Sequence, residues 1–333
     1  MLIVRIAVGA LVAAVVAPNA VAQSNVRPVA RVTAPIALGT VHSGPRHRVD
    51  PLAAHARLAA EEPLAVARQV VELDFTGRMQ PGADIAGGGD LATQRGGWTA
   101  TIAREVGEER TLAVALKSEA TFFDFGGAGV AGLVDPFNDL YRTALGATLY
   151  TPWNDTVSLF GGAEFTLAGE DTSDLDSSLI VAASSGITYR ASPELELALG
   201  ISASQRLEAD AWVIPFLGVD WRMADDWRLR LEGERVHLEW QARRDLSFAV
   251  HAAYEQRQYR LNDSNPLPGG VFRDEQIDVG AALTWRPTAG VELRAGAGYT
   301  VWREFTLLDA NGVGVEAELA NAPFGELALR FSF

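Results

Sequence analysis

Charged side chains of both signs recur at every second position along many segments of this chain. Glu292 and Arg294, for example, alternate with Val291 and Leu293. In an extended strand this spacing puts the charges on one face and the apolar residues on the other. Interleaved acids and bases either fill a protein interior with ion pairs or line a hydrated passage that solutes cross. We assign these residues to the charged face: Lys117, Glu119, Arg142, Glu164, Glu196, Asp220, Arg228, Arg230, His237, Glu239, His251, Glu255, Asp278, Glu292 and Arg294.

Two histidines, His237 and His251, flank a short charged turn at 243–245. If Ala242 pairs with Leu246 across a three-residue turn, the two histidines face each other on the charged face. An imidazole pair can transfer protons, but hydrolysis also requires a nucleophile and an oxyanion site. The chain has no G-x-S-x-G, H-E-x-x-H or phosphate-loop motif. We therefore predict that the protein is not an enzyme, and a membrane hydrolase remains the third alternative.

The composition excludes several classes of partner. The chain has 333 residues and a net charge of −14, which disfavours binding to nucleic acid because phosphates require a basic surface. It has no cysteine, so it forms neither disulfides nor thiolate metal sites. The acidic segment with Asp171, Asp174 and Asp176 lacks the spacing of a calcium-binding loop. We predict no cofactor and no metal site.

The elements that carry the charged face are strands. From about residue 68 to the end of the chain the apolar residues recur with a period of two, in segments as long as membrane-spanning strands or slightly longer. Because the segment 80–95 is rich in glycine, the first two strands are short in this assignment, and twelve strands are the alternative. The pattern predicts 14 strands near 69–79, 97–106, 110–124, 139–150, 156–168, 178–190, 194–206, 211–223, 227–233, 235–242, 246–260, 271–286, 291–304 and 315–333.

The connections between these strands alternate in length. Short turns lie at 151–155, 191–194, 224–226, 243–245 and 287–290, whereas longer acidic or Gly/Pro-rich loops lie at 124–138, 169–177 and 261–270. Outer-membrane barrels have short periplasmic turns and long external loops. The fold class predicted is therefore all-β, a transmembrane antiparallel up-and-down β-barrel with both termini in the periplasm.

The last ten residues, 324–333, alternate strictly and end on an aromatic residue. Such a strand has an apolar face that needs lipid, and an edge that needs a closing partner. The segment resembles the carboxy-terminal assembly signal of Gram-negative outer-membrane barrels at Glu326, Phe331 and Phe333, with Ala328 where glycine is usual. This resemblance implies the barrel assembly machinery as a partner.

The amino terminus indicates export. Arg5, an apolar run at 6–17 and the sequence Ala20-Val21-Ala22 form a secretory signal peptide over 1–22. The apolar run is too short for a transmembrane helix, which needs about 20 residues. Residues 23–67 are rich in proline and show no sustained alternation, which predicts a flexible periplasmic segment before a barrel domain at 68–333. The predicted location is the outer membrane of a Gram-negative bacterium.

Several segments of the carboxy-terminal half carry a family resemblance. They are Pro215-Phe-Leu-Gly-Val-Asp-Trp221, Asp226-Trp-Arg-Leu-Arg-Leu231, Tyr254-Glu-Gln-Arg-Gln-Tyr-Arg-Leu261 and the final Arg-Phe-Ser-Phe. Together they resemble a family of uncharacterised bacterial outer-membrane β-barrel proteins. The resemblance implies the barrel fold and implies no particular activity.

The predicted strand number favours a passage through the barrel. About eight strands already make an interior that side chains can fill, so a lumen of 14 strands should be wider than they can close. We predict a passive channel for small hydrophilic solutes, narrowed by the glycine-rich loop at 124–134. The alternative is an occluded structural or interaction barrel without transport. Lipid, lipopolysaccharide and small solutes are the other expected partners.

Overall fold

The structure is a computed structural model that describes residues 69–86, 88–107, 110–127, 136–137, 139–171, 173–174, 176–207 and 209–333. The predicted signal peptide, the segment 23–67 and the centre of the glycine-rich loop (128–135) lie outside the described residues. Among the described residues no helix is long and apolar enough to cross a membrane.

The described residues form one sheet of antiparallel neighbouring strands. Its strands are β1 (Gln69–Asp84), β2 (Asp90–Glu105), β3 (Thr111–Gly126), β4 (Leu140–Pro152), β5 (Val157–Glu170), β6 (Leu179–Ser192), β7 (Leu195–Arg206), β8 (Ala209–Ala224), β9 (Trp227–Glu232), β10 (Arg235–Arg243), β11 (Leu246–Arg260), β12 (Val271–Thr288), β13 (Val291–Leu308), β14 (Gly314–Leu319) and β15 (Ala322–Ser332). Each strand from β1 to β13 pairs with the next, and β15 pairs with both β13 and β1, which closes the sheet into a barrel.

The barrel has 14 strand positions, because β14 and β15 are two pieces of one strand that both pair with β13. The predicted antiparallel barrel of 14 strands is therefore confirmed, and the alternative of 12 is wrong. The predicted single last strand is also wrong in detail, since it is interrupted at Ala320 and Asn321.

The first hairpin is longer than predicted. Strand pairing continues through the glycine-rich segment to Asp84 and Asp90, where a loop had been expected between 80 and 95. The chain reverses at Gly88 and Gly89, both with positive φ, a conformation that glycine adopts without a steric penalty. Gly82 lies at an irregularity in the ladder between Gln80 and Ala83, where glycine is well tolerated.

The outer face of the barrel is apolar and exposed. Leu145, Phe165, Leu199 and Ile201 are at least half exposed although they lie in the middle of strands. Five of the six exposed tryptophans lie near the short turns, at one end of the barrel, and Trp98 lies in the middle of β2; the five are Trp153, Trp221, Trp227, Trp240 and Trp285. A surface of this kind would aggregate in water and suits a lipid bilayer.

Candidate functional site: the barrel interior

The charged face points to the inside of the barrel. Arg257 on β11 bonds to Glu119 on β3, although five strand positions separate these strands in the sheet. Arg78 on β1 likewise bonds to Asp278 on β12. Contacts between strands so far apart can form only across the interior of a closed barrel.

The strand registers place all of the residues we assigned to the charged face on this inner side. Glu196 lies opposite Asp220, Asp220 opposite Arg230, Arg230 opposite His237, and His237 opposite His251. Directly opposed residues share a face, so one unbroken series of inward positions runs across these five strands. Their role in lining a passage remains a prediction.

One side of the interior is closed by a buried charge cluster, which we name the cross-barrel cluster. Arg257, fully buried, lies between Glu119 at 3.2 Å and Glu255 at 2.9 Å. Arg303, almost as deeply buried, makes two contacts of 2.9 Å with Asp274. The cluster comprises Arg78, Arg95, Glu119, Glu255, Arg257, Asp274, Asp278 and Arg303.

Sequence reasoning identified Glu119, Glu255 and Asp278 but missed the other members of the cross-barrel cluster. The spacing did carry a signal for Arg257, two residues from Glu255, and for Asp274, four residues from Asp278, because even separations in a strand keep residues on one face. Arg303 had no such signal. A bulge in β13 around Val301 reverses the alternation, so counting from Arg294 would put Arg303 outside.

An aromatic cluster fills the interior beyond the cross-barrel cluster, toward the long loops. The rings of Phe137 and Phe272 have centroids 4.2 Å apart, and Phe272 contacts Phe305 edge to face at 4.8 Å. Phe123 packs against all three of these rings. These side chains, with Leu91, Leu140 and Leu307, form the largest buried apolar group among the described residues.

The end of β11 crosses the mouth of the barrel next to this aromatic cluster. Arg260 forms a parallel bridge to Gly169 of β5, which lies far away in the sheet order. Beyond it the backbone N–H of Asn262 donates to Glu170 at 2.9 Å, and the side-chain amide of Asn265 donates to the carbonyl of Pro136 at 2.9 Å. We call strands β1–β3 and β11–β13, together with these contacts, the closed half of the barrel.

The inward faces of β5–β10 differ from the closed half in their ion pairs and in their exposure. We call them the open half. Most of their ion pairs join neighbouring strands: Arg190 lies 3.7 Å from Glu196, and Arg228 pairs with Asp220. The Arg190 and Arg228 side chains are 44% and 42% exposed although they face inward. Both residues lie next to the short turns, so water reaches the interior at this end of the open half.

Small residues make room in the open half. Gly162, Ser184 and Ser202 follow one another across β5, β6 and β7 on the inner face. A Cβ atom at Gly186 would lie 2.6 Å from the ring of Phe160, so this glycine makes room for that ring. Aromatic rings therefore occupy part of the space that these small residues leave.

The histidine pair has the predicted register but a different turn. His237 lies opposite His251 with ring centroids 5.8 Å apart, so their opposition is confirmed. The turn is wrong in detail, because Leu246 pairs with Arg243 and a bulge leaves Ala242 as the extra residue. Because the bulge adds one residue to β10, the two strands keep the same register that a three-residue turn would give. Arg294 lies 3.4 Å from His251.

Among the described residues no group of three or more acidic residues or histidines could hold a metal ion. The carboxy-terminal strand β15 closes the barrel by pairing with β1. Phe333 exchanges backbone hydrogen bonds with Val71 at 2.9 and 3.2 Å, the Phe331 ring contacts Phe75, and Glu326 bonds to Arg294.

Residues 110–313 match the family described as Domain of unknown function (DUF6268). The chain belongs to this family. The predicted resemblance to an uncharacterised family of outer-membrane barrels is confirmed, and the match extends from β3 to the loop before β14. No curated protein matches the chain significantly.

Several solved barrels share a distant likeness with this member of the family. An outer membrane channel from Pseudomonas putida F1 is 12% identical with a TM-score of 0.45, over 82% of this chain and 97% of that one. The KdgM porin in complex with disordered oligogalacturonate is 10% identical with a TM-score of 0.35, over 79% and 99%. The Pseudomonas putida toluene transporter TodX is 8% identical with a TM-score of 0.37, over 79% and 89%. Similarity at this level carries no inference about function.

Proposed function

We propose that this protein is an outer-membrane channel that passes small hydrophilic solutes through the open half of its interior. The supporting observation is the exposure of the inward-facing charges Arg190 and Arg228 next to the short turns, where water reaches the interior. Charges of both signs along such a path solvate polar solutes and disfavour apolar ones.

The membrane setting belongs to the same proposal. The exposed apolar belt fits a bilayer, and the girdle of tryptophans near the short turns fits its periplasmic surface. With the short turns in the periplasm, both termini lie there and the long loops meet lipopolysaccharide. The barrel assembly machinery would recognise the strand that ends at Phe333, whose ring is 74% exposed.

A tryptophan placed in the open half tests the channel. Ser184 faces inward on β6 and Ser185 faces outward next to it. In planar bilayers the wild-type barrel should show discrete conductance steps. The substitution Ser184→Trp should reduce the conductance roughly threefold or more because it fills the passage.

The matched control is Ser185→Trp, which should conduct like the wild type because its ring lies in lipid. No conductance steps from a folded wild-type barrel, or equal conductance in both variants, would contradict the proposal.

A second candidate function is an occluded barrel that acts as a scaffold. The cross-barrel and aromatic clusters favour it, because they fill the closed half from one wall to the other. Liposomes that contain the protein distinguish the two functions. A channel releases trapped sugars and amino acids, whereas an occluded barrel retains them.

A further inference from the structure

A group of arginines faces inward at the end of the barrel that has the short turns. Arg222 on β8 lies directly opposite Arg228 on β9, and both continue the inward alternation of Asp220 and Arg230. Directly opposed like charges destabilise a sheet, so this arrangement does not serve stability. We call the group the arginine rim; its members are Arg190, Arg222, Arg228, Arg230 and Arg286.

Acidic neighbours hold several of these arginines in place. Arg230 donates to Glu239 at 2.9 Å, and Arg286 donates to Glu292 at 2.9 Å. Arg286 also lies 3.5 Å from Glu239, so it bridges two acidic side chains on different strands. These contacts fix the guanidinium groups at defined positions on the inner wall.

The two partners of each pair in the rim are not equally exposed. The Arg190 side chain is 44% exposed and that of Glu196 only 20%, and the values for Arg228 and Asp220 are 42% and 17%. The arginine is also the more exposed partner in the other three pairs of the rim. A solute that arrives from the turns therefore meets guanidinium groups before it meets carboxylates.

The greater length of the arginine side chain does not explain this order. In several pairs deeper in the barrel the order is reversed. Arg294 is less exposed than Glu326, and Arg257 is fully buried although Glu119 is not. A positive inner surface is consequently a property of the rim and not of every ion pair in the barrel.

Arg222 adds a charge that no acidic side chain among the described residues pairs with. Its side chain is exposed. The backbone N–H of Arg222 donates to the carbonyl of Glu194 at 2.8 Å, but the carboxylate of Glu194 accepts from Ser192 at 2.9 Å. The Arg222 guanidinium keeps its donors for a ligand.

We propose that the arginine rim is the selectivity element of the channel, and that the solutes it admits are small anions with carboxylate or phosphate groups. Guanidinium groups bind such oxyanions through two parallel hydrogen bonds, and rings of arginine favour anions in pores. The rim achieves this in a chain whose net charge is −14. This inference rests on the proposed channel function and deepens it.

Ion selectivity under a gradient of potassium chloride tests the rim in planar bilayers. The zero-current potential should show that the wild-type barrel passes chloride roughly threefold or more better than potassium. The double variant Arg190→Glu/Arg222→Glu should lose or reverse this preference, because carboxylates replace two exposed guanidinium groups. Heat-modifiable gel mobility checks that the variant folds.

The matched control is Arg104→Glu/Arg110→Glu, which changes the same number of charges at the same end of the barrel. Both residues are exposed, Arg104 faces outward on β2, and Arg110 lies in the turn before β3. This control should keep the selectivity of the wild type. Added succinate, a small dicarboxylate, should lower the chloride current of the wild type and of the control but not that of the rim variant.

A barrel that conducts but favours potassium, or a rim variant that keeps the chloride preference, overturns the rim while the channel stands. A wild-type current that succinate does not lower overturns oxyanions as the solutes. A folded wild-type barrel without conductance overturns the channel and the rim together. If the double variant does not fold, Arg222→Glu alone should lower the chloride preference by roughly half, since it breaks no described ion pair.

Discussion

The two halves of the barrel interior use the same alternating sequence pattern for different purposes. In the closed half Arg257 contacts acidic residues on its own strand and across the barrel, and is fully buried. In the open half Arg228 pairs with Asp220 on the neighbouring strand, and its side chain is 42% exposed. Alternation alone therefore sets which residues face inward, whereas the approach of opposite walls decides whether they form a core or a passage.

This difference has an energetic consequence. Removing one partner of a buried charge cluster leaves uncompensated charges away from water, which costs about 3–5 kcal/mol. Exposed ion pairs contribute about 0–1 kcal/mol because water and salt screen them. The closed half should consequently carry the stability of the barrel, and the open half should tolerate substitution.

The largest effect is expected for Arg257→Ala. It leaves Glu119 and Glu255 short of a buried partner, so the free energy of unfolding should fall by about 3–5 kcal/mol. Urea titration of the refolded protein in detergent, followed by heat-modifiable gel mobility, measures this change. Arg228→Ala is the matched control, with an expected loss below about 1 kcal/mol. Equal losses would remove the distinction between the halves.

A smaller effect is expected for Phe272→Ala in the aromatic cluster. The ring is fully buried between Phe137 and Phe305, and its removal leaves a cavity that costs about 3 kcal/mol. Phe216→Ala in the open half is the control, because that ring is only half-buried beside Gly200. The same urea titration applies, and a larger loss for Phe216→Ala would contradict the assignment of the core.

The histidine pair provides a test of register with almost no expected effect on stability. His237 and His251 are directly opposed, so the double variant His237→Cys/His251→Cys should form an intramolecular disulfide on mild oxidation. Leu238→Cys/His251→Cys is the control, because those side chains point to opposite faces. Mobility on non-reducing gels distinguishes them. A folded histidine double variant that stays reduced would disprove the register.

Much of this architecture could be predicted from local sequence. The period of two gave the strand number, the inward position of residues such as Glu196 and Asp220, and the opposition of the two histidines. Long-range features had no local signal: the bulge that turns Arg303 inward and the bridge from Arg260 to Gly169 both depend on how distant strands meet. The glycines between 80 and 95 were misleading because the described ones lie in an irregularity (Gly82) and in the turn (Gly88, Gly89), while the residues around them pair as strands.

The central claim, that only one half of the interior holds water, is tested most directly by thiol accessibility in the folded barrel. Ser184→Cys places a thiol in the open half, and Thr121→Cys places one in the closed half, where Thr121 is fully buried next to Arg95. The rate of reaction with a small charged thiosulfonate is measured for both. The account predicts rapid labelling at residue 184 and none at residue 121 until the barrel is unfolded. Similar labelling rates at the two positions would contradict it.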